Sequence, residues 1–187
     1  MVRFNSHKDL EGRHAFLSAS KYHWTEYSED KLEASYRTAL AARRGTELHD
    51  FAAEAIRLGI KLQESTKTLN QYINDAIGFR MTPEQPLYFS DNAFGTADAI
   101  SFSKGMLRIH DLKTGVNPAS FRQLEIYASF FCLEYDVSPR DIQMELRIYQ
   151  NDDVHIYVPD PIDIDILMST IKSYDQIIEQ IKRESLS

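Results

Sequence analysis

The stretch Phe94-Gly-Thr-Ala-Asp98-Ala-Ile-Ser-Phe-Ser-Lys104-Gly105-Met-Leu-Arg-Ile-His-Asp111-Leu-Lys113-Thr-Gly115 carries the reading of this chain. Phe94 to Phe102 and Met106 to Leu112 are two strand-like runs, and Ser103-Lys-Gly105 between them predicts a hairpin turn. If the chain turns back there, the two strands are antiparallel neighbours and the carboxylates of Asp98 and Asp111 reach one spot. Asp111 and Lys113 are two residues apart, so strand alternation sets them on one face and turns His110 and Leu112 to the other.

Outward from this hairpin, Leu87-Tyr-Phe89 reads as a preceding strand. After it, Phe121, Leu124, Ala128, Phe131, Cys132 and Tyr135 form an apolar stripe that predicts a helix from about Pro118 to Tyr135. Strands are expected at Ile142–Tyr149 and Val154–Val158, joined across Asn151-Asp-Asp153. Asp160-Pro161 is a helix start, with Asp as N-cap and Pro at the first helical position. The stripe expected for that last helix is Ile162, Ile166, Leu167, Ile171, Tyr174, Ile178 and Ile181. Upstream, Leu32, Tyr36, Leu40 and then Leu48, Phe51, Ala52, Ala55 and Ile56 recur at helical spacing from Glu29 to about Leu62, and Gly45 is expected to break this run into two helices. A third helix is expected from about Ser65, with Leu69, Tyr72, Ile73, Ala76 and Ile77 on one stripe, stopping near Pro83 and Pro86. The order of elements predicts an α/β fold, a central mixed sheet flanked by helices, in a single domain over residues 1–187.

The 187 residues are 43% hydrophobic and 26% charged, a composition able to bury a core. No apolar run approaches the roughly 20 residues a membrane helix needs. The opening MVRFNSHKDLEGRHAF holds no apolar signal core, so the expected compartment is cytoplasmic (host cytoplasm for a viral protein), with no membrane partner. One cysteine, Cys132, excludes an internal disulfide framework, a four-cysteine zinc site and an iron–sulfur cluster held by this chain alone. The net charge of −7 counts against a broad basic face, although 21 Lys and Arg residues remain available for a local one. Phosphate loops, Gly-x-Gly-x-x-Gly, Gly-x-Ser-x-Gly and His-Glu-x-x-His are all missing, which leaves kinase, dinucleotide, serine-hydrolase and zincin readings without support.

The polar residues of the hairpin remain. Two carboxylates with open coordination positions suit Mg²⁺ or Mn²⁺, which take oxygen ligands and keep several waters. Such an ion can activate water and stabilise charge on a phosphodiester, with a neighbouring lysine assisting. Acid-x-Lys by itself is weak, since Glu29-Asp-Lys31, at an expected exposed helix start, has the same form. The company of Asp111-Leu-Lys113 is more telling: Gly45-Thr-Glu-Leu-His49, Gly95-Thr-Ala-Asp98, Asp111-Leu-Lys113-Thr-Gly115 and Gln123-Leu-Glu-Ile-Tyr127 follow one another in the order seen in the PD-(D/E)xK nuclease superfamily. Over roughly Ser18 to Tyr127 the chain resembles its RecB-like exonuclease branch, and Leu17-Ser-Ala-Ser20 is similar to the opening segment of that branch.

That resemblance implies a restriction-endonuclease-like core. It makes His49, Asp98 and Asp111 metal ligands, with Asp98 and Asp111 also catalytic, Lys113 the catalytic lysine, and Gln123 with Tyr127 an accessory helix motif beside the site. The bound ion is expected to be Mg²⁺ or Mn²⁺, and the lone cysteine matches compact phage-type members without an iron–sulfur cluster. The implied activity is metal-dependent hydrolysis of DNA phosphodiesters, as an exonuclease of recombination, repair or phage DNA metabolism acting on single- or double-stranded ends. A recombination-protein partner or a homo-oligomer fits that role. The alternatives are a catalytically inactive DNA-binding or adaptor protein and a structure-specific or RNA-directed endonuclease on the same fold.

Other residues read more plainly. Glu47, Asp50 and Glu54 are expected on a solvated helix face, and His7, His14, His23, His110 and His155 show no ligand spacing. Tyr22-His-Trp24 with Tyr27 reads either as core or as a platform for unpaired bases.

Overall fold

The computed structural model describes residues 14–185 together with Ser6, Lys8 and Gly12; His7 and most of the opening segment lie outside the described residues. The chain divides into two compact units, Met1–Arg44 and Gly45–Ser187. The smaller contains a 3₁₀ helix, Ala19–Glu26, and the beginning of the long helix α1 (Glu29–Leu58). No residue of the 3₁₀ helix is buried. Its aromatic cluster is therefore not core: Tyr22 is exposed and lies against the His23 ring, while Trp24 donates its indole N–H to the Ser18 carbonyl. Glu29-Asp-Lys31 forms the exposed first turn of α1, where two acids favour the positive end of the helix dipole.

The larger unit is an α/β arrangement. It holds the rest of α1, α2 (Thr68–Gly78), β1 (Thr82–Ser90), β2 (Ala93–Ser103), β3 (Met106–Leu112), α3 (Arg122–Glu134), β4 (Gln143–Gln150), β5 (Asp153–Tyr157) and α4 (Pro161–Ser185). Among the described residues the strands form one mixed sheet in the order β1-β2-β3-β4-β5, in which only β3 and β4 run parallel. A parallel pair needs a crossover, and α3 supplies it.

Of the three two-residue hairpins among the described residues, two turn through positive φ at both central positions. Ser103 pairs with Met106 around Lys104 (φ 52°) and Gly105 (φ 75°). Gln150 pairs with Asp153 around Asn151 (φ 55°) and Asp152 (φ 61°). Positive φ at both central positions is the type I′ geometry that matches the twist of the flanking strands. At the start of α4, Asp160 Oδ1 accepts the Ile162 N–H at 2.8 Å, so the N-cap and Pro161 stand as the sequence predicts.

The sheet is covered on both faces. On one, Leu107, Ile109, Leu146 and Ile148 pack with Leu124, Ala128 and Phe131 of α3 and Ile164 of α4. On the other, Leu112 and Tyr149 pack with Ala52, Ala55 and Ile56 of α1 and Tyr72, Ile73 and Ala76 of α2.

Three expectations need correction. Gly45 does not break a helix, because α1 is continuous from Glu29 to Leu58. A glycine inside a helix costs only about 1 kcal/mol relative to alanine. Here it serves close approach: a Cβ on Gly45 would lie 2.9 Å from Thr114 Oγ1, in the loop that follows β3. The first strand begins at Thr82 rather than Leu87 and contains both prolines. β1 is the sheet edge, where a missing N–H can face away from the ladder. On α4 the core face is Ile164, Leu167, Met168 and Ile171, whereas Ile162, Ile166, Tyr174 and Ile181 of the expected stripe are exposed. That helix carries apolar residues on more than one side, so periodicity alone chose a neighbouring stripe.

Among the described residues no helix is long and apolar enough to cross a membrane.

Candidate metal centre and catalytic lysine

The strand registers bring the acids into one row. Continued by one residue beyond Ala99↔His110, the β2–β3 register sets Asp98 across from Asp111. Between Pro83↔Ala99 and Gln85↔Ala97, the β1–β2 register sets Glu84 across from Asp98. Three neighbouring strands thus contribute one carboxylate each. The ladder gives way at this row: the Leu112 N–H donates to Asp98 Oδ2 at 2.9 Å, so the Asp98 side chain takes the place of a backbone acceptor and is fixed at the strand ends.

His49 reaches the same place from α1, about one helical turn after Gly45. Its Nδ1 lies 3.4 Å from Asp98 Oδ2. The approach of α1 to the loop at Thr114, open only to a residue without Cβ, therefore also delivers the imidazole. His49, Glu84 and Asp98 each offer a ligand atom within 4.8 Å of the others. Ligand oxygens sit about 2.0–2.1 Å from a Mg²⁺, hence at most about 4.2 Å apart, so small side-chain adjustments close the set on an ion.

Glu84 is the residue the sequence reading missed. Its backbone is left-handed (φ 50°), which is uncommon for a non-glycine residue and costs of order 1–3 kcal/mol where the surroundings impose it. Burial raises its carboxyl pKa, Asp98 reinforces the shift and His49 opposes it. His49 in turn is raised above the usual imidazole value, first by its hydrogen bond to Asp98, with burial opposing.

Asp111 stands beside this group and is not one of its three members. It is almost wholly buried, and its pKa is raised by burial and by Asp98 while Lys113 opposes the rise. Lys113 Nζ donates to Asp111 Oδ1 at 3.0 Å, whereas Asp111 Oδ2 is buried without a hydrogen-bond partner. An orphaned carboxylate oxygen in a low-dielectric site is costly, and a proton, an ordered water or a cation can satisfy it. Carboxylate and imidazole donors with one free oxygen beside them fit a hard divalent cation.

The accessory helix is connected to the same lysine. Lys113 Nζ also donates to Gln123 Oε1 at 3.0 Å, and Gln123 Nε2 donates to Tyr127 Oη at 2.9 Å, so a chain runs Asp111, Lys113, Gln123, Tyr127. Gln123 and Tyr127 are one helical turn apart on α3, as their spacing requires. The Tyr127 ring presses on β2: a Cβ on Gly95 would stand 2.9 Å from Tyr127 Cε1 and 3.8 Å from Phe130 Cε2. Gly95→Ala is expected to destabilise the protein by about 1–2 kcal/mol, in the usual range for overpacking. A denaturation midpoint that does not fall would show that the ring yields freely.

Two variants separate Gln123 from Tyr127. Gln123→Ala removes one of two anchors of the ammonium and, given the nuclease activity the resemblance implies, is expected to slow cleavage by about 10- to 100-fold, as loss of a supporting contact commonly does. Tyr127→Phe keeps the ring on Gly95 and deletes only the hydroxyl, so its expected effect is smaller than that of Gln123→Ala. An effect as large as that of Gln123→Ala would give the hydroxyl a role of its own.

Among the described residues, no histidine besides His49 belongs to the metal-capable group. His110 is fully buried on the opposite sheet face, 3.2 Å from Tyr149 Oη; burial, with the Arg147 and Arg108 charges, lowers its pKa to about 3 and keeps it neutral. His155 is exposed, 3.9 Å from Asp153.

Comparison with protein-family models, with characterised proteins and with solved structures gives no match.

Proposed function

We propose that this protein is a metal-dependent nuclease of the PD-(D/E)xK type with a restriction-endonuclease-like core, hydrolysing DNA phosphodiesters and acting at DNA ends. The observation that carries the reading is the placement of Lys113. Its ammonium is held at 3.0 Å by both Asp111 and Gln123, next to a His49, Glu84 and Asp98 group able to hold a cation. A lysine used only as a surface charge has no reason to be fixed at two points beside a carboxylate with an unsatisfied oxygen.

In this reading His49, Glu84 and Asp98 hold a Mg²⁺ or Mn²⁺ ion, with Asp111 supplying its free oxygen. When bound, the ion supplies Lewis-acid stabilisation of phosphodiester charge and favours deprotonation of water. The chain's residues do the rest. Asp98, fixed by the Leu112 N–H, and the imidazole beside it keep the ligand atoms in register with the strand ends. Lys113 is directed by Asp111 and Gln123 toward the position where negative charge grows on the phosphoryl oxygens, the arrangement that makes preorganised electrostatics effective. Gln123 positions Lys113, and Tyr127 positions Gln123. His49, Glu84 and Asp111 all hold protons more tightly than usual, so cation binding releases protons and weakens as pH falls.

The test is incubation with end-labelled linear and closed circular DNA, single- and double-stranded, in Mg²⁺, in Mn²⁺ and in EDTA. Cleavage of linear but not circular DNA in either ion, and none in EDTA, is the expected outcome. Full cleavage in EDTA would overturn the metal-dependent reading, and cutting of circles would replace the exonuclease with an endonuclease.

A further inference from the structure

The loop between β3 and α3 joins two residues that meet at the site. Lys113 stands at its entry, directly after β3, and Gln123 lies in the first turn of α3 at its exit. Residues 114–118 are exposed, Val116 among them, so apolar packing gives this loop little support. The N-cap residue of α3, Phe121, makes no side-chain cap, and the Arg122 N–H donates instead to Ser120 Oγ at 3.2 Å, within the loop itself. The entry into α3 thus takes its shape from the loop.

The loop in turn is gathered by Gln150, the buried last residue of β4. Continued by one residue, the parallel register Leu112↔Tyr149 sets Gln150 beside Lys113. Alternation from Leu146 and Ile148 turns its side chain to the sheet face that α3 covers, the face that Ile109, Asp111 and Lys113 share on β3. From there Gln150 Nε2 donates to the Gly115 carbonyl at 2.6 Å and to the Asn117 carbonyl at 2.7 Å, while its Oε1 accepts the Ala119 N–H at 3.2 Å. Carbonyls can only accept and an amide N–H can only donate, so these three partners also fix which way the side-chain amide faces. At the entry, the Lys113 N–H donates to the Tyr149 carbonyl at 2.9 Å and ties the loop to the same strand.

We propose that Gln150 is a positioning residue for the catalytic lysine. Through the β3–α3 loop it sets Gln123 against Lys113, and with that contact the direction in which the ammonium points. It acts through the loop and touches no reacting atom. The inference rests on the nuclease reading above, and adds to it a residue of β4 that lies outside the four stretches of sequence carrying the resemblance.

The experiment compares the full chain with Gln150→Met, which fills nearly the same space without groups able to hold the loop, in two measurements. Amide hydrogen exchange followed by nuclear magnetic resonance reads the loop. In the variant the N–H groups of Ala119 and of Glu125, in the first turn of α3, are expected to exchange about 10-fold or more faster, while those of Leu146 and Ile148 stay protected. Cleavage of end-labelled linear DNA in Mn²⁺ reads the lysine. Gln150→Met is expected to cut about 10- to 100-fold more slowly at saturating DNA, the scale on which small misplacements act, with Mn²⁺ still raising its melting temperature. Combined with Lys113→Met, the same substitution should slow cleavage by less than about threefold further, because the group it positions is gone. A role confined to stability would slow both backgrounds alike. Should Gln150→Met fail to fold, Gln150→Asn, which keeps the amide but withdraws it by one methylene, repeats both measurements with the same expected directions.

Unchanged exchange at Ala119 overturns the hold on the loop, and the proposal with it. Faster exchange with wild-type cleavage, or an equal loss with and without the Lys113 ammonium, overturns the positioning role and leaves the nuclease reading standing. Failure of the wild-type protein to cut DNA in Mn²⁺ overturns the nuclease reading itself, and the positioning role falls with it.

Discussion

Asp98→Asn is expected to lower cleavage by about 1,000-fold or more while the protein stays folded. The asparagine keeps an oxygen to accept the Leu112 N–H, so the end of the β2–β3 ladder survives. What it loses is the charge that faces His49 and Glu84 in the metal-capable group. Lewis-acid stabilisation is worth several kcal/mol, and about 1.4 kcal/mol corresponds to each tenfold in rate. The variant should also lose the stabilisation that a divalent ion gives the wild-type fold, which at a hundred times the dissociation constant is about 2.7 kcal/mol. Thermal melts with and without Mn²⁺, beside the cleavage assay, check both parts. A variant that cuts within tenfold of wild type would remove Asp98 from the site.

Lys113→Met is the second large effect, and it should differ from the first in kind. Methionine keeps much of the apolar stem and deletes the ammonium, so an expected loss of about 100- to 1,000-fold in turnover reports transition-state stabilisation alone. The ligand atoms of His49, Glu84 and Asp98 are untouched, so a melting shift on adding Mn²⁺ should persist, reduced only by what the Asp111 oxygen contributes. Lys113 opposes the rise in the Asp111 pKa, so its removal pushes that carboxyl further toward the neutral form. Loss of the Mn²⁺ shift in this variant would mean that Lys113 organises the metal group rather than acting on substrate. A wild-type rate in folded protein would favour a nuclease-fold binding or adaptor protein.

The parts of this arrangement legible in the sequence are those that depend on local rules. Gly105 announces a hairpin because it accepts the positive φ a tight turn needs, and alternation from Asp111 to Lys113 follows from strand geometry. The Gln123 and Tyr127 contact is likewise a matter of helical spacing. Glu84 was hidden because Pro83 and Pro86 read as a boundary rather than as an edge strand, and because a left-handed glutamate has no signature in sequence. Counting back from the β1–β2 turn would not have found it: from Ser90↔Ala93 residue 85 falls across from Asp98, and only the irregularity between Tyr88 and Ser90 brings Glu84 there. Gly45 misled for the opposite reason. Its role is a long-range contact with Thr114 that no local pattern encodes, whereas its local propensity suggests a break. The α4 stripe failed because the helix has several apolar sides and only tertiary packing selects Ile164, Leu167 and Ile171.

The most direct measurement of the central claim follows Mn²⁺ occupancy and cleavage in the same samples, with bound ion read from loss of the free-ion electron paramagnetic resonance signal. For wild-type protein the two curves are predicted to rise together and to collapse together on adding EDTA. Asp98→Asn should show neither at the ion concentrations that saturate the wild type. Cleavage that proceeds with no Mn²⁺ bound, or Mn²⁺ that binds Asp98→Asn as tightly as wild type, would contradict a catalytic ion held by His49, Glu84 and Asp98.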